Sequence, residues 1–270
     1  MTISAKKIRA LPEGVSRTLI QIGMILLVFG LWELGVRIGW ISAFLFGSPL
    51  GIAHYLAKAI YDGTLLYDTW ITVFEATLGF VIGTLAGSIL GLSLWYSPFI
   101  ARTVEPIVVA FNSVPKIAFA PIIILWFGTG LTSKVALAIS LTSIVALIAA
   151  YQAAKDADPD LQGLMVTLGA NKHHIFYSVI VPSSLPAMVA TFRINVGFGL
   201  VGAVVGEFIS SQHGLGHLIF TASSLYDLNT VWAGLFTLMA VGFVLYFFID
   251  WFERNLLPWK TNEHRQELRV

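Results

Sequence analysis

Six stretches of this chain are long and apolar enough to need a solvent other than water: residues 19–36, 70–95, 106–127, 135–150, 185–205 and 231–252. A helix needs about 20 mostly apolar residues to cross the hydrocarbon core of a bilayer. The chain therefore reads as an all-α membrane protein with about six transmembrane helices. Composition agrees where it bears on this. Only 11% of the residues are charged, against about 25% in a soluble domain, so there is too little charge to cover a water-facing surface. The first apolar run is longer than a signal-peptide core, and no small-residue cleavage site follows it, so it reads as a retained helix. The stretch 135–150 is short, and Pro115 and Pro121 interrupt 106–127. Residues 54–61 form a short amphipathic segment suited to the membrane surface.

Lysine and arginine in the connecting loops set the orientation. With the N-terminus in the cytoplasm, Lys6, Lys7, Arg9, Arg17, Arg102, Lys155, Lys172, Arg254, Lys260, Arg265 and Arg269 fall inside. Arg37, Lys58 and Lys134 fall outside. An even number of spans then returns the C-terminus to the cytoplasm. The net charge of +1 shows no basic excess of the kind that nucleic-acid binding requires. The chain has no cysteine, which removes thiolate chemistry and disulfides.

The longest inside loop, residues 151–182, carries Asp156, Asp158, Asp160, Lys172, His173 and His174. Within it Leu161, Leu164, Met165 and Leu168 recur at helical spacing. This predicts an amphipathic helix beneath the membrane, with Asp158 or Asp160 near its N-terminus, where a carboxylate is favoured. A mere connector does not need an apolar face of its own, so the helix reads as a docking surface.

Gly79, Gly83, Gly87 and Gly91 recur every four residues on one face of the second span. Such a face lets another backbone approach closely, which is how membrane helices gain packing energy. Packing within one subunit is the simpler expectation; packing across a dimer is the alternative. Several ionisable residues fall in apolar stretches, where each costs about 2.5–3.5 kcal/mol on insertion scales. Glu33 with Arg37, and Asp250 with Arg254, have the i, i+4 spacing of local ion pairs. Glu207 stands at the outer end of the fifth span, within reach of water. Lys116 and Arg193 each lie about ten residues into a span, or about 15 Å deep. They either line a path, with Asn112, Ser113 and Glu207 beside it, or pair structurally with Glu75 or Glu207. Pro115 removes one helical hydrogen bond and frees the Phe111 carbonyl. Broken helices in membranes occur where protein buries them or a cavity runs past them, so the Asn112–Lys116 region reads as pore lining, with a packing kink as the other reading. His213 and His217 have the spacing of a helical metal pair, but Gly214 and Gly216 between them argue against a helix and no third ligand is evident. No nucleotide-binding motif is present, so no metal or cofactor is assigned to this chain.

Some of these stretches resemble a known family. Leu168-Gly169-Ala170-Asn171 followed by Val179-Ile180-Val181-Pro182 resembles the signature of ABC-importer permeases, in which a Glu-Ala-Ala-x-x-x-Gly segment precedes Ile-x-Leu-Pro. Gly169 matches the glycine; Gly163, Leu164 and Met165 stand where the family has Glu-Ala-Ala. Ser113-Val114-Pro115-Lys116, Ala120-Pro121, Leu125-Trp126-Phe127-Gly128-Thr129-Gly130, Phe192-Arg193, Gly206-Glu207 and Gly214-Leu215-Gly216 look like the branch handling nitrate, sulfonate, taurine, bicarbonate and some vitamin-like compounds.

The resemblance implies a type I importer permease fold in a bacterial inner membrane. It implies a translocation path built with a second permease copy, two cytoplasmic ATPases that use ATP and magnesium, and a periplasmic or lipid-anchored binding protein. Asp160, Leu161, Gly163, Leu164, Met165, Leu168, Gly169, Ala170 and Asn171 would then form the coupling segment. The permease itself does no covalent chemistry. Two cations near the bilayer centre, together with the branch, point to an anionic solute such as nitrate, bicarbonate or an organosulfonate. The chain divides into a tail of residues 1–18, a first helix and external segment over 19–66, a core over 67–252 and a tail over 253–270. A secondary transporter, which needs coupling-ion ligands and usually an internal repeat, and a membrane-embedded enzyme are the rival classes.

Overall fold

The computed structural model describes residues 13–256; Lys6, Lys7, Arg9, Lys260, Arg265 and Arg269 of the charge count lie outside them. All the regular structure among the described residues is helical. In chain order it comprises α1 (Glu13–Ile38), α2 (Ala43–Phe46), α3 (Pro49–Tyr61), α4 (Thr64–Ser93), α5 (Pro98–Ser113), α6 (Ala120–Phe127), α7 (Leu131–Lys155), α8 (Pro159–Thr167), α9 (Lys172–Ile175), α10 (Val181–Ser210), α11 (Leu215–Ser224) and α12 (Leu228–Leu256). Five helical runs are long and apolar enough to cross a membrane: Arg17–Ile38, Thr64–Tyr96, Leu131–Lys155, Lys172–Ser210 and Leu228–Asn255. The protein is a multi-pass membrane protein.

The remaining apolar stretch, expected as one span over 106–127, is instead two helices that meet at 85°. The cause is local. Pro115 forces the preceding residue out of the helical region, and Val114 is extended, with ψ 133°. The Phe111 carbonyl that the proline was expected to orphan accepts from the Val114 amide at 3.3 Å. The break therefore does not orphan that carbonyl. Gly128, at φ +79°, ends α6.

Two other boundaries differ from the apolar pattern. The fourth span runs from Leu131, not 135, so Lys134 lies inside α7 and is buried. The fifth begins at Val181 and is fed by a π-helical turn, Phe176–Ile180. Pro182, which has no amide to donate, stands in the first turn of α10, two residues beyond that π-helical turn. Helix starts elsewhere follow capping rules. Ser48 accepts from the Gly51 amide with Pro49 at the first turn, Ser97 accepts from Ile100 with Pro98, and Asp158 accepts from Asp160 with Pro159.

The core is formed by α4, α7 and α10. The four glycines of α4 face α7 of the same chain. A Cβ at Gly79 would collide with Ala138, at Gly83 with the Thr142 hydroxyl, at Gly87 with the Ser143 carbonyl and at Gly91 with the Leu147 carbonyl. Glycines of α10 close the third side, with Gly199 against Phe80 and Gly202 against the Ala138 backbone. Between these helices lies a polar layer: Asn195 donates to Thr84 Oγ1 at 2.8 Å and to the Thr142 carbonyl at 3.1 Å. In contrast the span Arg17–Ile38 of α1 is almost wholly exposed and stands at the edge, where Trp32 meets Trp232 of α12 edge-on at 5.4 Å.

Candidate functional site

One end of the bundle carries α8. Asp158 caps it, its Oδ1 accepting from the Asp160 amide at 2.8 Å. The expected helix does not continue to Asn171. Gly169 adopts φ +81°, a left-handed conformation that glycine reaches at no steric cost, and the chain restarts as α9 with Asn171 accepting from the His174 amide at 2.9 Å. The apolar residues of this segment divide. Met165 and Ala170 pack against the cluster of Leu92, Ala150, Ala154, Ala157, Ile175, Phe176, Val179 and Ile180. Leu161, Leu164, Val166 and Leu168 point away and are exposed, Leu168 by 73%. A Cβ at Gly163 would meet nothing within 4 Å. So the helix hangs by one face and presents the other, uncovered and apolar, at the end of the bundle.

The residues expected along a path are not gathered in one place. Lys116 donates to Asn112 Oδ1 at 2.9 Å, both at the break between α5 and α6, and Ser113 donates to its own helix at Val109. Among the described residues no carboxylate lies within ion-pair distance of Lys116. It lines an open cleft of about 500 Å³ with Phe111, Phe119, Trp126, Ser140 and Ser143.

Arg193 is elsewhere. It donates to Asp250 at 2.6 Å and also to Glu253, while Arg254 holds the other Asp250 oxygen at 2.8 Å. Its guanidinium also lies 5.2 Å from the Tyr246 ring. Arg193 is thus ion-paired, but not with Glu75 or Glu207 as expected. The partners belong to α12, because the faces of α10 and α12 meet there, and Arg193 serves to tie two spans.

Glu207 is likewise not wet. It is 1% exposed, accepting from the Thr72 hydroxyl at 2.6 Å and from the Gly216 amide at 2.5 Å. Thr72 in turn accepts from the Leu215 amide at 2.8 Å, and Asp68 from the Gly214 amide at 2.9 Å. The Gly214–Gly216 turn folds back over the end of α10, which is why a residue near that end is sealed. Glu75 pairs with Lys134 at 3.4 Å, not with Lys116 or Arg193. The pairs Glu33–Arg37 at 2.9 Å and Asp250–Arg254 at 2.8 Å form at the expected i, i+4 spacing.

His213 and His217 do not converge. Gly214, at φ +106°, turns the chain between them. His213 faces Asp68 at 3.9 Å and the Tyr67 ring edge-on, while His217 lies 3.4 Å from Thr221. No group of three or more metal-ligating side chains occurs among the described residues. The sequence reading missed Thr72, Lys134 and Glu253. Lys134 alone carries a local signal, since it sits within one turn of Gly130, the N-cap of α7.

The comparisons bear on this architecture directly. The family described as the binding-protein-dependent transport system inner membrane component matches residues 79–258. The formylaminopyrimidine transport permease protein ThiX of Halalkalibacterium halodurans is 32% identical over 88% of this chain and 94% of its own length. The riboflavin transport system permease protein RibX of Chloroflexus aurantiacus is 34% identical over 88% of each. The taurine transport system permease protein TauC of Escherichia coli is 24% identical over 89% of each. Among solved structures, an inward-facing MetNI methionine ABC transporter superimposes with a TM-score of 0.60 at 20% identity, covering 71% of this chain and 95% of that one. A bundle of apolar helices around a glycine seam, the family match over residues 79–258 and relatives that are themselves transport permeases make one conclusion: the chain belongs to the binding-protein-dependent transport system inner membrane component family, the membrane-spanning permeases of ABC importers.

Proposed function

We propose that this chain, with a second copy of itself, forms the translocation path of an ATP-driven importer, and that α8 is the surface on which a cytoplasmic ATPase docks. The observation that carries this reading is the uncovered apolar face of α8, with Leu161, Leu164 and Leu168 exposed at the end of a helix that the bundle holds by Met165 and Ala170. An apolar face of this kind in water needs a partner. The loop charges put the α8 end and both termini in the cytoplasm. A binding protein delivers solute at the opposite end, where α11 lies. The chain couples ATP binding on its partner to two arrangements of its own spans, and magnesium and ATP belong to the partner.

The solute is small. Two cations suggested an anion, but Arg193 is matched by Asp250 and Glu253, which leaves Lys116 alone. The cleft around Lys116 is walled by Phe111, Phe119 and Trp126 and by Ile122, Ile123 and Ile144, with Ser140 and Ser143 beside them. That lining suits a planar nitrogen heterocycle, which stacks on aromatic rings and accepts hydrogen bonds. ThiX and RibX are named for such compounds. A nitrate, bicarbonate or organosulfonate solute remains the second reading, favoured by the unpaired ammonium and by the taurine name of TauC.

Crosslinking tests the docking surface cleanly, because the chain has no cysteine. A single cysteine replacing Leu164 is expected to crosslink to the ATPase subunit in native membranes. Absence of any such crosslink from Leu161, Leu164 and Leu168 alike defeats the assignment.

A further inference from the structure

Beyond the exposed face of α8 lies a second set of contacts that the docking role does not use. Lys172, the first residue of α9, donates to the Tyr96 carbonyl at 2.5 Å. Its ammonium also lies 5.5 Å from the centre of the Trp95 ring. Trp95 and Tyr96 form the 3-10 turn that ends α4. Next in the chain, His173 Nδ1 lies 3.2 Å from the Tyr96 hydroxyl. The Tyr96 ring packs at 4.6 Å from Phe176, which opens the π-helical turn into α10. The carbonyls at a helix C-terminus lack intrahelical partners and carry the negative end of its dipole, so a lysine there is favourable.

We infer that Lys172 is a positioning residue that fastens the segment leaving α8 to the C-terminal end of α4, so that a movement of α8 turns α4 and α10 together. The geometry gives the reason. The covalent path leaving the C-terminal end of α8 passes Gly169, at φ +81°, and leads into α10, while the N-terminal end joins α7 through residues 156–158; neither path leads into α4. Without the Lys172 contacts the end of α4 is held to this segment only by the His173–Tyr96 contact and by ring packing. With them, the end of α4 is held at a backbone carbonyl and at a ring. A π-helical turn is a common site of functional adjustment, and here it adjoins the clamp. α4 and α7, the latter already joined to α8, then move together, because the glycine seam leaves no slack: a Cβ at Gly91 would already strike the Leu147 carbonyl.

This inference rests on the docking role of α8, and its test separates the two. The intact importer, with its ATPase and binding protein, is reconstituted with a single cysteine replacing Ser113 beside the break between α5 and α6. The rate of maleimide labelling at that cysteine is compared with and without ATP, magnesium and vanadate. Lys172→Met is expected to keep the α8 crosslink and ATP hydrolysis while the nucleotide-dependent change in labelling falls by about two- to tenfold, the range set by one hydrogen bond and one cation–ring contact. Lys172→Arg, which retains both kinds of contact, is expected to restore it. A wild-type labelling change in Lys172→Met overturns the inference and leaves docking intact. So does a Lys172→Met chain that loses the α8 crosslink, because Lys172 then merely holds α8 in place, and so does failure of Lys172→Arg to restore the response. An importer with no nucleotide response and no α8 crosslink overturns both.

Discussion

Arg193 of α10 donates to Asp250 of α12 at 2.6 Å, inside a membrane span, and the same guanidinium reaches Glu253 one turn further along. This places the cation in a structural joint between two helices. Removing one partner of a buried pair costs about 3–5 kcal/mol. The Arg193 side chain is 30% exposed and Arg254 still holds Asp250 when Arg193 is removed, so the loss is smaller than for a fully buried pair. Arg193→Met is expected to destabilise the purified protein by roughly 2 kcal/mol, seen as a lower unfolding temperature in detergent, and Arg193→Lys by less. An Arg193→Met protein as stable as the parent removes the joint from the account.

The glycine seam makes a paired prediction. At Gly87 a methyl group would strike the Ser143 carbonyl, whereas at Gly197, on the exposed side of α10, it would meet nothing within 4 Å. Overpacking a tight contact costs typically about 1–3 kcal/mol. Gly87→Ala is expected to lower thermal stability by an amount of that order, and Gly87→Leu to prevent assembly. Gly197→Ala is expected to match the parent. Equal stability of Gly87→Ala and Gly197→Ala contradicts the seam.

At the α11 end, Glu207 gathers Thr72 and the Gly216 amide. Glu207→Leu strands the Gly216 amide away from water, at a cost of roughly 1–3 kcal/mol, and leaves the Thr72 hydroxyl only the Asp68 carbonyl at 3.2 Å. Glu207→Gln keeps one acceptor oxygen and is expected to fall between Glu207→Leu and the parent. Limited proteolysis in the Gly214–Gly216 turn reads the loosening. Unchanged protection in Glu207→Leu shows that the carboxylate does not hold the turn.

The orientation is testable with the same cysteine-free background. Cysteines replacing Asp62, which follows α3, and Asp227, which precedes α12, are expected to react with a membrane-impermeant reagent added outside intact cells. A cysteine replacing Asp156, which ends α7, is expected to remain unlabelled. The reverse pattern inverts the topology.

The spans were legible in the sequence because lipid leaves a helix few compositions to choose from. The polar joints were not. Arg193 finds Asp250 and Glu253 across 57 and 60 positions, and nothing in local spacing marks such a pairing. Glu33 with Arg37 was visible only because both lie on one helix. The break at Pro115 was expected from the missing amide, but not its 85° bend, which depends on Val114 adopting an extended conformation. For Glu207, position near a helix end suggested water, whereas the following Gly214–Gly216 turn closes over it. The uncovered face of α8 was legible as an apolar pattern. The division of that pattern, with Met165 turned inward and Leu164 outward, required the fold.

Uptake into proteoliposomes tests the central claim most directly. The chain is reconstituted alone, and separately with its ATPase and binding protein, and accumulation of radiolabelled riboflavin, a pyrimidine and taurine is followed with and without ATP on the ATPase side. The account predicts no uptake by the chain alone under any ion gradient. It predicts ATP-dependent uptake of one solute class by the complete assembly, abolished by Leu164→Asp. Accumulation by the chain alone, driven by a proton or sodium gradient and indifferent to ATP and to Leu164→Asp, would contradict it.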